Sequence, residues 1–377
     1  MTALTVDVLK DWNETINIKE QWNELNLQSK LTHPFSCYEF FDCWYHAYCK
    51  PGDARIILIR DGRNLRAIFP GIVSKVRIKG ISINVFSCAA NWYSPQTDIL
   101  TSPDDKEALF LNLEAISAQL PEKIHLIKLW MVQKESLTDK IVKDSELPRL
   151  VFYCENQTEC PGFDLSNGWD SYFQSRSKKF RFRFRQAEKR AKSQGLLRFE
   201  YFSTPNELQL IIPRLKSLDA KTWQHEKGSG LFSNTENETF YQGLLSKYSR
   251  VVKVIMAFLK IGELDVAYEL GIISGTKAFF LKYGYDPTFS DCRPGVLVQS
   301  YLTQYVSSLG VQEIDLGMEQ SEEKAHWQTK ISEYNNYWLI RKNTLKGNGL
   351  LAGILLNKFL KKIKNIKEQK STSIISS

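Results

Sequence analysis

Residues 267–327 read AYELGIISGTKAFFLKYGYDPTFSDCRPGVLVQSYLTQYVSSLGVQEIDLGMEQSEEKAHW, and the order of elements in this stretch decides the fold. The apolar run that ends at Ile273 and the run Thr276–Lys282 are strand-length and are separated by Gly275, which predicts a hairpin. Pro294-Gly295 then opens a helix to Ser308, since proline has no amide to lose at the first helical position. "VQEIDLG" returns the chain to a short strand, and "YNNYWLI" after it makes a last one.

Working outward, a further strand over Val251–Lys260 joins the hairpin through Gly262. Helices are expected at Trp169–Ser193, Asn206–Trp223 and Glu236–Ser249. The first half of the chain repeats this order. A weak helical pattern over Trp12–Leu27 and an aromatic-rich helix after Pro34 precede "ARIILIRDGRNLRAIFPGIVSKVRI", residues 54–78, which reads as a strand, a turn at Asp61-Gly62, a second strand and its continuation into a third. A helix over Ser102–Leu120 and a strand over His125–Met131 follow. The expectation is a mixed α+β chain of two halves, 1–162 and 163–345, divided near Cys160–Ser166, where Pro161, Gly162, Ser166 and Gly168 interrupt both periodicities. A basic tail, 346–377, completes it.

The length of 377 residues accommodates two domains, and 43% hydrophobic with 12% aromatic residues is a folded globular composition. The net charge of +8 is local: residues 341–370 carry nine Lys/Arg and one acid, and the rest of the chain is formally neutral. That excludes a nucleic-acid-binding surface spread over the whole molecule. Ala352, Leu355, Leu356, Phe359, Ile363 and Ile366 recur at helical spacing in the tail among lysines, a pattern that suits an anionic membrane surface, a partner or the protein body. No run reaches the ~18 apolar residues of a membrane span, and no basic-then-apolar leader opens the chain. The seven cysteines include no Cys-x-x-Cys pair, so no metal site is expected, and buried thiols in a reducing cytoplasm are.

Two chemical signals stand out. Helix-opening amides around Gly295, with Arg293 beside them, form a potential phosphate cradle; Pro-Gly also opens helices that bind nothing. Glu269 lies in an otherwise apolar strand, where an acid is costly unless paired or useful, so it is a candidate proton acceptor or one half of a core ion pair. The densest basic block, "SRSKKFRFRFRQAEKRAKSQG" from Ser175, reads as a helix ending at Gly195. Its Arg181 and Arg185 share a face suited to phosphate, an acidic acceptor or simply solvent.

The stretch 267–327, together with the basic helix 175–200, resembles the GNAT-superfamily acyltransferases typified by proteins associated with bacterial cellulose and exopolysaccharide synthesis; the same broad family includes ceramide-synthase-like members. The resemblance anchors residues 169–340 and implies tandem GNAT-like domains. Each would be a mostly antiparallel mixed sheet flanked by helices, with the first domain degenerate and the second catalytic. It implies an acyl-CoA donor, an amine acceptor on a sugar or lipid, and direct transfer in a ternary complex. By this resemblance Arg293, Gly295, Val296 and Leu297 hold the donor with Arg181 and Arg185, and Glu269, Tyr283, Asp286, Asp315 and Lys324 form the catalytic set. Asp219, Trp223, Tyr285 and Trp327 line the acceptor side. The expected location is cytoplasmic, at the inner membrane face if the tail binds lipid. The alternatives are long-chain transfer to a sphingoid amine and a non-catalytic acyl-binding scaffold, which would leave Glu269, Asp286 and Asp315 apart in space and the Pro294-Gly295 helix start blocked.

Overall fold

The computed structural model describes residues 3–29, 31, 33–78, 81–92, 94, 96–144, 147–318 and 320–355. In the first half the chain forms β1 (Thr5–Leu9), α1 (Lys19–Gln28), α2 (Tyr38–Tyr48), β2 (Ala54–Asp61), β3 (Asn64–Ile78), β4 (Ile81–Cys88), β5 (Leu100–Thr101), α3 (Lys106–Ala118), β6 (Leu126–Gln133), α4 (Leu137–Asp144) and β7 (Leu150–Asp164). The second half begins with α5 (Gly168–Ser175), α6 (Lys178–Gln194), β8 (Leu197–Phe202), α7 (Pro205–Leu210), α8 (Ile212–Asp219), α9 (Trp223–Glu226) and α10 (Thr235–Ser246). It continues with β9 (Lys253–Ile261), β10 (Leu264–Ser274), β11 (Lys277–Tyr285), α11 (Pro294–Ser308), β12 (Glu313–Asp315), α12 (Glu322–Trp327) and β13 (Lys330–Arg341).

All strands belong to one mixed sheet, ordered β1-β2-β3-β4-β6-β13-β7-β12-β11-β10-β9-β8, with β5 beside β3. The echo between halves is topological. In each, antiparallel strands lead through a helix to a parallel neighbour: β4 to β6 through α3, and β11 to β12 through α11. Each half then gives its last strand to the other. β13 pairs with β6, β7 pairs with β12, and β7 and β13 run antiparallel along Leu150–Gly162 and Lys330–Arg341.

This exchange explains where the expected break at Cys160–Ser166 departs from the structure. Residues 160–164 are strand. Pro161 lacks an amide, yet its carbonyl accepts from Leu316 N (2.9 Å), and Gly162 is required by close approach, since a Cβ there would lie 2.5 Å from the Ile314 carbonyl oxygen. Similarly, β3 runs unbroken through Pro70, whose carbonyl accepts from Ala89 N (3.0 Å); the expected third strand is β4. The single helix expected over Trp169–Ser193 is two, because Ser177 turns out of helical geometry and its hydroxyl accepts from Phe180 N (3.1 Å), capping α6. Of the tail, 345–355 is helical, with Leu350 buried against Ile83, Val85, Leu126 and Ile340; Leu356, Phe359, Ile363 and Ile366 lie outside the described residues.

The sheet of the second half is covered on both faces. On one, α2 packs on α10, with Phe40 against Phe240 (5.8 Å between ring centroids) and Tyr48 Oη donating to Asn237 Oδ1 (3.1 Å), so the halves share a core. On the other, α5, α6 and α11 bury Phe173, Phe184, Leu297 and Leu302 with Trp327. Among the described residues no helix is long and apolar enough to cross a membrane.

Candidate functional site

β11 and β12 pair only over Lys277–Phe279 and Glu313–Asp315 and then part. The register of β11 against β10 slips between Leu270 and Gly271, placing one extra residue in β11 and bending it away from the parallel ladder. The gap is the site. Three cavities that share lining residues run through it.

The first, about 490 Å³, lies at the start of α11. Arg293, at φ +48°, turns the chain into the helix but offers no side-chain cap to its first turn. That left-handed geometry costs a non-glycine residue about 1–3 kcal/mol and is held by its surroundings. Gly295 and Val296 line the cavity; a Cβ on Gly295 would lie 3.3 Å from the Tyr283 ring. The amides of Val296 and Leu297 bond to Arg293 O (3.1 and 3.3 Å), which leaves Gly295 with the dipole of α11 facing the space. Arg183 lines the same wall and meets His326 Nε2 at 3.2 Å, with Glu322 and Glu323 opposite.

The second cavity, about 380 Å³, shares Trp223, Tyr283, Glu323 and Trp327 with the first. Glu269 and Tyr283 are cross-strand partners on β10 and β11 and both line it. Glu269 is 2% exposed and its Oε2 has no hydrogen-bond partner; Gln224, whose Nε2 donates to Tyr283 O (3.1 Å), leaves Oε1 equally unmet. Burial, reinforced by the charge of Glu323, holds the Glu269 carboxyl well above the usual carboxylate range, and burial raises the Tyr283 phenol. The third cavity, about 140 Å³, continues past Phe280, Leu281, Leu316 and Lys324 to Phe240, Tyr241, Met318 and Trp92. Trp92 is 61% exposed at its end. A charged groove of about 840 Å³ elsewhere, lined by Lys134, Lys277, Glu313, Lys330 and Glu333, satisfies its own charges through ion pairs of 3.1 Å or less.

The gap gathers Glu269, Tyr283, Tyr285, Arg293, Gly295, Val296, Trp223, Lys324 and Trp327 from the sequence-derived set. Trp223 stands 42% exposed at the junction of the first two cavities, and Trp327 is buried against Phe163 and Phe180. Lys324 Nζ donates to Met318 O (2.6 Å).

Others of the set are elsewhere. Asp315 meets Lys277 (3.2 Å), Gln96 and the Gly317 amide and lines none of the three cavities. Asp286 caps the turn after β11: burial pushes its carboxyl up, but the Thr288 hydroxyl and amide and Lys221 (3.3 Å) outweigh this and hold it low. Asp219 is fully buried and accepts from Leu231 N, Phe232 N, Tyr268 Oη and His225 Nδ1 at 2.6–3.0 Å, which anchors a loop. Leu297 faces the core. Arg181 donates to Gln174 O (2.6 Å), and Arg185 is exposed away from the cavities. At 100° per residue, Phe180, Phe184, Ala187 and Ala191 define the buried face of α6; Arg183 flanks it on the cavity side, whereas Arg181 and Arg185 lie about 100–140° round the other way. Glu269, Asp286 and Asp315 therefore do not converge, as the non-catalytic scaffold would have it, but the helix start at Pro294-Gly295 is open to a cavity, contrary to that alternative. Sequence reasoning missed Arg183, Gln224, Lys282 and Glu323. Of these only Lys282, a charge inside the apolar strand "AFFLKYGY", carried a signal of the kind that marked Glu269.

Residues 178–325 match the family model described as an acetyltransferase (GNAT) domain. Among solved structures, a conserved protein of unknown function from Bacteroides thetaiotaomicron is similar at TM-score 0.57 and 12% identity, over 90% of this chain and 100% of that one. FemX is similar at 0.55 and 13%, over 85% and 96%. The C-terminal domain of a putative lysylphosphatidylglycerol synthetase from Agrobacterium fabrum is similar at 0.55 and 13%, over 91% and 97%. At these identities the likeness is one of fold, and it extends over both halves. No curated protein matches the chain significantly.

Proposed function

We propose, from the match of residues 178–325 to the GNAT acetyltransferase family model, that the protein moves an acyl group from a coenzyme A thioester to an amine, with the donor at the start of α11 and the chemistry at Glu269. The observation that carries this is a buried carboxyl with an unmet oxygen, opposite Tyr283, in a gap reached from an uncapped helix start. The dipole of α11, with Arg293 and Arg183, suits the donor's phosphates. The arriving ammonium gives one proton to ionised Glu269; its nitrogen attacks the thioester carbon, the C–S bond breaks, and the second proton leaves with the thiolate as free thiol. The phenol of Tyr283, kept protonated by burial, is suited to donate to the carbonyl oxygen or the departing sulfur. Asp286, Asp315 and Asp219 serve here as scaffold.

Gln224, Ser229, Gln299 and Ser321 around Glu269 favour a polar amine such as an amino sugar. A lipid-chain substrate is favoured by one feature, the aromatic third cavity, which takes about four or five groups of water's size, ~30 Å³ each. The first half supports no second site: at α3, the counterpart of α11, the carboxylate of Asp105 caps Ala108 N (3.1 Å) and pairs with Arg66 (2.7 Å), filling the place an anion would take. The basic pattern of 346–377 supports attachment to an anionic membrane surface, to be read as co-sedimentation with vesicles containing phosphatidylglycerol and not with neutral ones. The test of activity is thiol release from acyl-CoAs of graded length against an amine panel, with mass detection of products. Acylated amine with release lost in E269Q is expected; no release with any pair overturns the assignment.

A further inference from the structure

The second cavity holds a cation that acyl transfer does not use. Lys282, on β11 beside Tyr283, is partly buried and lines the cavity with Glu269, Gln224 and Gln299. Among the described residues it has no ion pair and no hydrogen bond. Burial lowers its pKa from the ordinary lysine value, and the counter-charge acting on it is Asp219, whose oxygens are already occupied by two amides, Tyr268 and His225. A cation out of bulk water costs free energy unless an anion meets it, and three other part-buried basic groups of this protein show such pairing: Lys277 with Glu313 and Asp315, Arg214 with Glu200 and Asp265, Arg55 with Glu122. Lys282 differs from these three, and it does so in the cavity that also holds the unmet oxygens of Glu269 and Gln224.

We propose that the amine acceptor carries an anionic group, a carboxylate or a phosphate, which Lys282 takes while Glu269 faces the amine. This deepens the acyl-transfer assignment and rests on it for the role of Glu269. A lysine is a point charge without a fixed fork, so it accommodates either anion. The pairing has two effects. It orients the amine toward the thioester, and the ammonium of Lys282, a positive charge in a medium of low dielectric, disfavours the acceptor's ammonium and so favours the neutral nucleophile.

The test uses the full chain and pairs of amines that differ only in the anion: an amino acid against its primary amide, and glucosamine 6-phosphate against glucosamine. Binding is followed by tryptophan fluorescence, for which Trp223 is placed, and turnover by thiol release. The expected result is a Kd about tenfold lower for the anionic member of at least one pair, the size of one charge-assisted contact, with the advantage reduced to within twofold in K282M and largely kept in K282R. Whichever pair discriminates identifies carboxylate or phosphate. Equal binding within both pairs, an advantage that survives in K282M, or no binding by either anionic amine overturns the proposal. Anion-selective binding without thiol release leaves Lys282's role standing and removes the acyl-transfer assignment; thiol release with neutral and anionic amines alike does the reverse.

Discussion

In the proposed transfer, Glu269 couples function to stability through one side chain. Burial, reinforced by the charge of Glu323, raises its pKa well above the usual carboxylate range, so in the proposed transfer it becomes a base only as pH rises through that raised pKa. The E269Q variant is expected to lose about 10²–10⁴-fold in kcat/KM and the rising limb of the pH profile, read by thiol release. The sign for folding is opposite. A carboxyl raised in the native state contributes stability that is fully present below its unfolded pKa and lost as pH rises through the folded one, so E269Q should melt higher than wild type at pH 8, with the gap closing toward pH 4. Asp219 makes the contrasting case: D219A leaves two loop amides and the Tyr268 hydroxyl unmet and should cost roughly 3–5 kcal/mol in chemical denaturation. Both acids are buried; only their partners separate a scaffold carboxylate from a free one.

At the scale of elements, the start of α11 and the parting of β11 from β12 make the site. Pro294-Gly295 was legible as a helix start, and the helix ends where its periodicity ends, at Ser308. Adding a branched side chain in G295V forces the Tyr283 ring aside and is expected to raise the donor's KM about tenfold or more with a smaller effect on kcat. On α6 the same assay separates faces: R183A should raise that KM several-fold, whereas R185A should not. The basic block announced cations suited to a phosphate, an acidic acceptor or solvent, but the face that reaches the cavity is set by which phenylalanines are buried: Phe180 and Phe184 are, and Phe182 is exposed. The bulge in β11 had no signal at all, because an extra residue in one strand is defined only by the register of its neighbour.

The whole molecule is one sheet closed by an exchange of strands. Residues 165–355 expressed alone would lack β7 and leave β12 and β13 as open edges, so they should be insoluble, and the full chain should melt in a single calorimetric transition. Because Asp105 and Arg66 fill the start of α3, donor titration should give one site per chain. The sequence by itself determined the two-part element order, the hairpins, the helix that opens at Pro294 and the misplaced acid Glu269, because periodicity, turn residues and the cost of a buried charge are local properties. Only the tertiary structure decided that Glu269, Asp286 and Asp315 stay apart, that Lys282 has no ion pair among the described residues, and that β7 and β13 change places. Those are relations between residues distant along the chain, fixed by strand pairing and packing.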